Sequence, residues 1–143
     1  TLTDSSAASD VYKRQVKGRF EIVNDSPVKI IDGAHNREGV EILLRNYENK
    51  YGHLNTDLFL GFKKGKDINN ILNLIIGKTN YNLYLIEDNT FFDQEITKEI
   101  GYLLDKHSKN YKIVSLEQFK KNKNPSILLG SLYLIGEYKK REL

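Results

Sequence analysis

Hydrophobic and polar positions follow two different periods along the chain, that of a strand and that of a helix, and segments with the two periods alternate. Residues 19–23 alternate polar and apolar side chains, and residues 28–31 resume an apolar pattern after a polar turn that contains proline. Residues 40–51 then repeat apolar side chains at helical spacing, which predicts one buried helix face that ends at Gly52. The chain therefore opens with two short strands and a helix.

The same succession of strand and helix continues toward the end of the sequence. Further strands are predicted at residues 57–62, 83–86, 112–116 and 127–129. Helices are predicted after Asp67, Asp93 and Ser131, and aspartate is a favourable N-cap residue. Strands that alternate with helices predict an α/β fold, here a Rossmann-like three-layer domain with a mostly parallel sheet of about five or six strands.

Composition favours one soluble domain. The chain has 143 residues, of which 39% are hydrophobic and 29% charged, as is ordinary for a globular protein that can bury a core. The sequence has no apolar run near the roughly 20 residues that span a bilayer, so we expect no membrane partner. It has no cysteine, which excludes disulfides and thiolate metal sites and is compatible with the cytoplasm, where we expect the protein.

The charge pattern argues against nucleic acid as a partner. The net charge is +3, but lysines and acidic residues are interleaved along most of the chain. The densest basic positions are Lys120, Lys121, Lys123, Lys139, Lys140 and Arg141. No aromatic residues are interleaved with those lysines, so a solvated helix face explains the cluster better than a nucleic-acid site.

Residues 1–15 differ from the rest of the chain. They are rich in small polar residues and have neither helix nor strand period, and the sequence contains no methionine. Residues 10–15 also match one reading frame of a transposase end sequence used in preparing sequencing libraries. We therefore expect residues 1–15 to be a non-native leader, with a native disordered tail as the alternative, and the domain to occupy residues 16–143.

The junction between the second strand and the first helix combines an acid, a glycine and a histidine. The apolar run stops at Asp32 and the helical period starts after Asn36, and open α/β sheets bind ligands at such junctions. Residues 32–36, Asp-Gly-Ala-His-Asn, resemble the signature of the folylpolyglutamate synthase and dihydrofolate synthase family. These enzymes belong to the Mur-type amide ligases, which use ATP to join an amino acid to a carboxylate.

Three further stretches resemble the same family in the same order, namely residues 18–21, 57–68 and 130–137. The resemblance implies a C-terminal domain of the Mur ligase type, without the large N-terminal ATPase domain that carries the P-loop and the magnesium ligands. Gly77, Lys78 and Thr79 imitate the end of a P-loop, but Leu72 stands where that motif requires glycine. We therefore expect no P-loop and no metal site in this chain.

The resemblance also implies roles for four residues at the strand ends. Arg19 and Asp32 would contact ATP, Gly33 would let the backbone approach it, and His35 would act in catalysis at the junction of the two domains. Arginine grips phosphate oxygens in a bidentate fork, and a carboxylate at a strand end accepts from ribose hydroxyls. The alternatives are a surface Arg19, a turn-capping Asp32 and a His35 satisfied by backbone.

Ser131 is a further candidate, for the substrate. At a predicted helix N-terminus, its hydroxyl and the backbone N–H groups favour an anion such as the carboxylate of glutamate. Plain N-capping explains Ser131 equally well. His53 and His107 stand at predicted helix ends beside polar residues, and we expect both on the surface.

For the intact enzyme, the resemblance implies a monomer that uses ATP with magnesium to phosphorylate folate or dihydropteroate. The amine of L-glutamate would then attack the acyl phosphate to form an amide. The 143 residues alone would be inactive. Two alternatives remain open, the C-terminal domain of another Mur-type amino-acid ligase and a stand-alone, non-catalytic Rossmann-like nucleotide-binding module.

Overall fold

The structure of the chain, a computed structural model, describes residues 18–63, 67–87 and 94–142. The strands are β1 (Glu21–Asp25), β2 (Val28–Asp32), β3 (Thr56–Leu60), β4 (Tyr81–Ile86), β5 (Tyr111–Val114) and β6 (Ser126–Leu129). The helices are α1 (Arg37–Tyr51), α2 (Ile68–Ile76), α3 (Gln94–Lys106), α4 (Leu116–Lys121) and α5 (Leu132–Glu142). The predicted leader and the predicted cap at Asp93 lie outside the described residues.

One six-stranded sheet has the order β1-β2-β6-β3-β4-β5. Strands β1 and β2 pair antiparallel, and the other neighbouring strands pair parallel. This arrangement confirms the predicted α/β class and the mostly parallel sheet. The last strand lies between β2 and β3, with Ile127 opposite Ile30 on one side and Leu58 on the other.

Helices cover both faces of the sheet and separate its core into two layers. On one face, helices α1, α2 and α3 bury apolar stripes that include Leu44, Ile71 and Ile100. On the other face, α4 and α5 pack Phe119 and Ile135 against the sheet. Each fully buried side chain of this size contributes on the order of 1.5–3 kcal/mol of transfer free energy.

Helix α4 corrects the sequence prediction. The strand predicted at residues 112–116 ends at Val114, and Leu116 instead begins a helix. Leu116 and Phe119 are three positions apart and are both buried, so packing stabilises a helix too short to show a clear period. Lys29 supports the end of α4, because the Lys29 Nζ donates to the carbonyl of Phe119 at 3.0 Å.

Two other local predictions need adjustment. Strand β1 covers residues 21–25 and not the predicted 19–23, so it ends within the predicted turn, where it pairs with β2. Asp67 precedes α2 as predicted, but its carboxylate makes no capping hydrogen bond to that helix. The Asp67 carboxylate accepts instead from the side-chain amide of Asn70 at 2.6 Å. It also accepts from the backbone N–H of Arg37, the first residue of α1, at 3.3 Å. Among the described helices, none is long and apolar enough to cross a membrane.

Candidate functional site

A cleft of about 530 Å³ opens at the carboxyl end of β2. The neighbouring strands β2 and β6 lead into helices on opposite faces of the sheet, α1 and α5, and such a switch point leaves a crevice for a ligand. The lining residues are Arg19, Phe20, Asp32, Gly33, Ala34, His35, Asn36, Glu38, Gly39, Ile42, Leu43, Asn46 and Leu132. The structure thus brings together Arg19, Asp32, Gly33 and His35, as the motifs predict.

A tight turn at residues 18–20 carries Arg19 to the edge of the cleft. Gly18 has φ +81° and Phe20 has φ +43°, so the turn uses the left-handed region twice. The backbone N–H of Gly33 donates to the carbonyl of Gly18 at 2.6 Å and joins the turn to the end of β2. The Arg19 side chain is exposed, and no residue in the described ranges makes a hydrogen bond or ion pair with its guanidinium.

Asp32 is nearly buried at the bottom of the cleft, with 8% of its surface exposed. Its Oδ2 accepts from the backbone N–H of Phe20 at 2.9 Å, and its Oδ1 accepts from that of Ala34 at 2.8 Å. Burial raises the pKa of Asp32, although the two hydrogen bonds and the charge of Arg19 oppose this effect. The carboxylate therefore has backbone partners on both oxygens, as the turn-capping alternative expects.

His35 lies half-buried in the turn between β2 and α1. Its Nδ1 lies 3.0 Å from the carbonyl oxygen of Gly33, which accepts from the ring when Nδ1 carries the proton. In the neutral ring, Nε2 then keeps a lone pair that another group can use. Helix α1 begins directly after this turn, where the Asn36 side chain accepts from the backbone N–H of Gly39 at 2.7 Å.

Gly33 lies against the side chain of Leu132, which would have to move to make room for a Cβ atom. A Cβ atom at this position would collide with Leu132, whose Cγ would be 2.8 Å away. Leu132 is the first residue of α5 and is 58% exposed at the edge of the cleft. The absence of a side chain at residue 33 thus leaves room for the Leu132 side chain at the edge of the cleft.

Ser131 does not line the cleft. It is buried, and its Oγ accepts from the backbone N–H of Tyr133 at 3.1 Å. This contact satisfies a donor in the first turn of α5, as the capping alternative expects. Glutamate binding by Ser131 stays a prediction.

Motif reasoning missed one wall of the cleft. Glu38, Ile42 and Asn46 lie four residues apart on α1 and form one ridge along it. Ile42 is 45% exposed, and a large apolar residue among polar positions of an amphipathic helix was the available signal.

The remaining polar candidates lie outside the cleft. Lys78, in the false P-loop, pairs with Glu48 at 3.0 Å, and His53 and His107 are exposed as predicted. Within residues 18–63, 67–87 and 94–142, no three His, Asp or Glu side chains are grouped as a metal site requires.

Comparison with known proteins supports the resemblance that the motifs indicate. The sequence is 25% identical over 146 residues to the dihydrofolate synthase/folylpolyglutamate synthase of Bacillus subtilis. The matched region covers 98% of this chain and 34% of that protein. The solved folylpolyglutamate synthase of Thermotoga maritima has a TM-score of 0.74 and 24% identity, covering 96% of this chain and 33% of that one.

A third relative is a bifunctional folylpolyglutamate synthase/dihydrofolate synthase solved with Mn, AMPPNP and L-glutamate bound. It has a TM-score of 0.66 and 18% identity, covering 90% of this chain and 32% of that one. No family model matches the chain. The chain is thus similar to the folylpolyglutamate synthases over nearly all its length, and it spans about a third of the length of these relatives.

Proposed function

We propose that this chain, which is similar to the folylpolyglutamate synthases, is the C-terminal domain of an ATP-dependent ligase that adds L-glutamate to folate or dihydropteroate. The convergence of Arg19, Asp32, Gly33 and His35 on one cleft is the observation that carries the proposal. The similarity to the Bacillus subtilis enzyme over 98% of the chain supports the substrate class.

The proposed reaction has two steps. A carboxylate oxygen of the pterin substrate attacks the γ-phosphate of ATP, which forms an acyl phosphate and releases ADP. The amine of glutamate then attacks the acyl carbon, inorganic phosphate leaves, and the nitrogen loses a proton as the amide forms. The domain would contribute mainly by positioning and by stabilising charge on the phosphates.

Arg19 and His35 have side-chain atoms available for these tasks. The guanidinium of Arg19 is exposed at the edge of the cleft and can make two parallel hydrogen bonds to phosphate oxygens. When Nδ1 of His35 donates to Gly33, its Nε2 can accept a proton or a hydrogen bond from a reacting group. Asp32 and Gly33 complete the nucleotide side of the cleft, and Ser131 is proposed to favour the glutamate carboxylate at the start of α5.

Magnesium does not fit the described part of this chain, because no suitable group of acidic or histidine side chains is present there. We place its ligands and the P-loop in an N-terminal ATPase domain, and no step through the metal is assigned to residues of this chain. The complete enzyme would act as a cytoplasmic monomer whose two domains close on the nucleotide.

A chimera tests the proposal. Residues 18–143 would replace the matching third of the Bacillus subtilis enzyme, and ATP-dependent addition of glutamate to dihydropteroate and to folate would be measured. We expect turnover by the chimera and none by the isolated chain. Arg19→Ala should lower turnover by about a hundredfold, since loss of one group that stabilises transition-state charge costs on the order of 10²–10³ in rate.

Arg45→Ala is the matched control, because Arg45 is an exposed arginine of α1 that does not line the cleft. This variant should keep the activity of the chimera. A folded chimera without turnover, together with ATP binding by the isolated chain, would instead favour the nucleotide-binding module. Turnover with a different acceptor carboxylate would favour another Mur-type ligase.

A further inference from the structure

We propose that Glu21 is a positioning residue, which together with Lys139 holds the turn that carries Arg19 against helix α5. This inference rests on the proposed function, since it specifies how Arg19 is kept in place at the cleft. Glu21 begins β1, directly after the turn at residues 18–20, and it is not one of the residues that line the cleft. Glu21 therefore acts on the reaction through Arg19.

One carboxylate oxygen of Glu21 joins the turn to the helix. Its Oε1 accepts from the backbone N–H of Gly18 at 3.1 Å and from the ammonium of Lys139 at 2.8 Å. Gly18 directly precedes Arg19, and Lys139 lies in the second half of α5. Hydrogen bonds to an ionised carboxylate are stronger than those between neutral groups. Glu21 thus ties the start of the turn to an element that is distant in sequence.

Apolar packing brings the same turn against the start of α5. Gly18 is buried, and a Cβ atom there would lie 3.3 Å from Cδ2 of Leu132 and 3.5 Å from Cγ2 of Ile135. The turn is therefore attached to α5 at two places, next to residues 132–135 and, through Glu21, at Lys139. Two attachments along one helix fix the orientation of the turn as well as its position.

Arg19 needs this support because its own side chain supplies none. Its guanidinium is exposed and makes no hydrogen bond or ion pair within the described ranges, so the backbone of the turn decides where the charge lies. The left-handed backbone of Phe20 must also be stabilised by surrounding contacts. Asp32 and Gly33 hold the turn to the end of β2, and Glu21 holds it to α5. A displacement of about 1 Å in a group that meets the substrate can cost about a hundredfold in rate.

The kinetics of the chimera test this role. Glu21→Ala should lower kcat by about tenfold, as for one lost charge-assisted hydrogen bond, and should leave KM for dihydropteroate nearly unchanged. Glu21→Gln should recover most of the activity, because its amide oxygen can still accept from the Gly18 N–H. An unchanged kcat in Glu21→Ala, or an effect confined to KM, would overturn the inference.

A double-mutant cycle separates positioning of Arg19 from a general loss of stability. Glu21→Ala should cause little further loss of kcat in an Arg19→Ala background, because the effects of coupled residues are not additive. A full additional loss in that background would overturn the inference. Glu117→Ala is the matched control, since Glu117, on α4, also pairs with a cation of α5, that of Arg141 at 2.9 Å. This control should keep kcat, and an equal loss there would assign the effect of Glu21 to the stability of α5.

Amide hydrogen exchange in the full chain tests the attachment of the turn without any turnover. Lys139→Ala removes a partly exposed ammonium and keeps the Glu21 carboxylate, so this variant should fold even if Glu21→Ala does not. We expect the Gly18 amide to exchange about two- to fivefold faster in Lys139→Ala, as for a lost ion pair of this exposure. Lys140→Ala, at the exposed neighbouring lysine, should leave that exchange unchanged.

Unchanged exchange of the Gly18 amide in Lys139→Ala would overturn the inference. An inactive unaltered chimera, together with faster exchange in Lys139→Ala alone, would count against the proposed function, and the attachment of the turn to α5 would stand.

Discussion

The two ends of the parallel sheet differ in what pairs with their buried carboxylates. At the amino end, Asp57 accepts from side-chain amides, those of Asn82, Asn122 and Asn124. At the carboxyl end, Asp32 accepts from backbone N–H groups, and the guanidinium of Arg19 has no hydrogen-bonding partner among the described residues. Polar side chains at the amino end thus satisfy one another, whereas Asp32 at the cleft is held by backbone and the Arg19 guanidinium is exposed.

The pKa directions at the two ends agree with this difference. For Asp32, burial prevails over two backbone hydrogen bonds and raises the pKa. For Glu48, burial also acts to raise the pKa, but hydrogen bonds from the Tyr81 hydroxyl and the Lys78 ammonium prevail and lower it. Folding therefore favours the ionised form of Glu48 at the amino end and disfavours the ionised form of Asp32 at the cleft.

The largest expected change is at Asp57, which is 1% exposed. Asp57→Ala removes an acceptor that three asparagine amides share, although Asn82 and Asn122 each keep a second one. Because the lost carboxylate is buried and hydrogen-bonded, we expect the free energy of unfolding to fall by about 2 kcal/mol. Urea unfolding measures this change. Asp57→Asn keeps one acceptor oxygen and should cost less, and a loss below about 1 kcal/mol in Asp57→Ala would contradict the assignment of Asp57 to stability.

Glu48→Gln should cost about 1 kcal/mol near neutral pH, because the amide cannot replace the carboxylate paired with Lys78. The lowered pKa means that the contribution of Glu48 is present above its ordinary value near 4.5 and is lost as pH falls through the lowered value. The cost should therefore disappear in acid when unfolding is followed against pH. Glu41→Gln, on the exposed side of the same helix, is the control and should change stability by less than about 0.5 kcal/mol.

Asp32→Asn should give the opposite pH dependence. Because the pKa of Asp32 is raised, its favourable contribution is present below its ordinary value near 3.8 and is lost as pH rises through the raised value. The variant should gain stability relative to the unaltered chain over that interval, with a net change below about 1 kcal/mol near neutral pH. Parallel pH slopes for the Asp32 and Glu48 variants would remove the contrast between the two ends.

The smallest effect on stability is expected for Arg19→Ala. An exposed side chain without a hydrogen bond to another described residue contributes little, and the free energy of unfolding should change by less than about 0.5 kcal/mol. Thermal unfolding of the isolated chain measures this. A large loss of stability would mean that Arg19 has a structural role and weaken the functional interpretation of the cleft.

Local patterns predicted the elements that local spacing determines. The apolar stripe of α1 and its end at Gly52 follow from residues close together in sequence, as do the strand-end positions of Asp32 and His35. Helix α4 was missed because the burial of Phe119 depends on a distant part of the chain. The contact of Asp67 with the N-terminus of α1 was also not predictable, because it joins residues that are distant in sequence.

The cleft shows the same dependence on distant contacts. The sequence motif places Asp32 and Arg19 in one site, but their connection runs through the Phe20 N–H, 12 residues from Asp32. Likewise, the space beside Gly33 is occupied by Leu132, which lies in another element. Side-chain types could be predicted from a motif, whereas partners that come from distant segments required the tertiary structure.

The central position of β6 has a consequence for the order of folding. Strands β2 and β3 do not pair with each other, and both pair with β6, the last strand along the chain. Until residues 126–129 have been synthesised, the hairpin of β1 and β2 has no sheet partner that joins it to β3, β4 and β5. Such distant pairing forms slowly, because a long loop must close before its contacts form. We therefore expect the cleft, whose Asp32 ends β2 and whose Leu132 follows β6, to be assembled in the final step of folding.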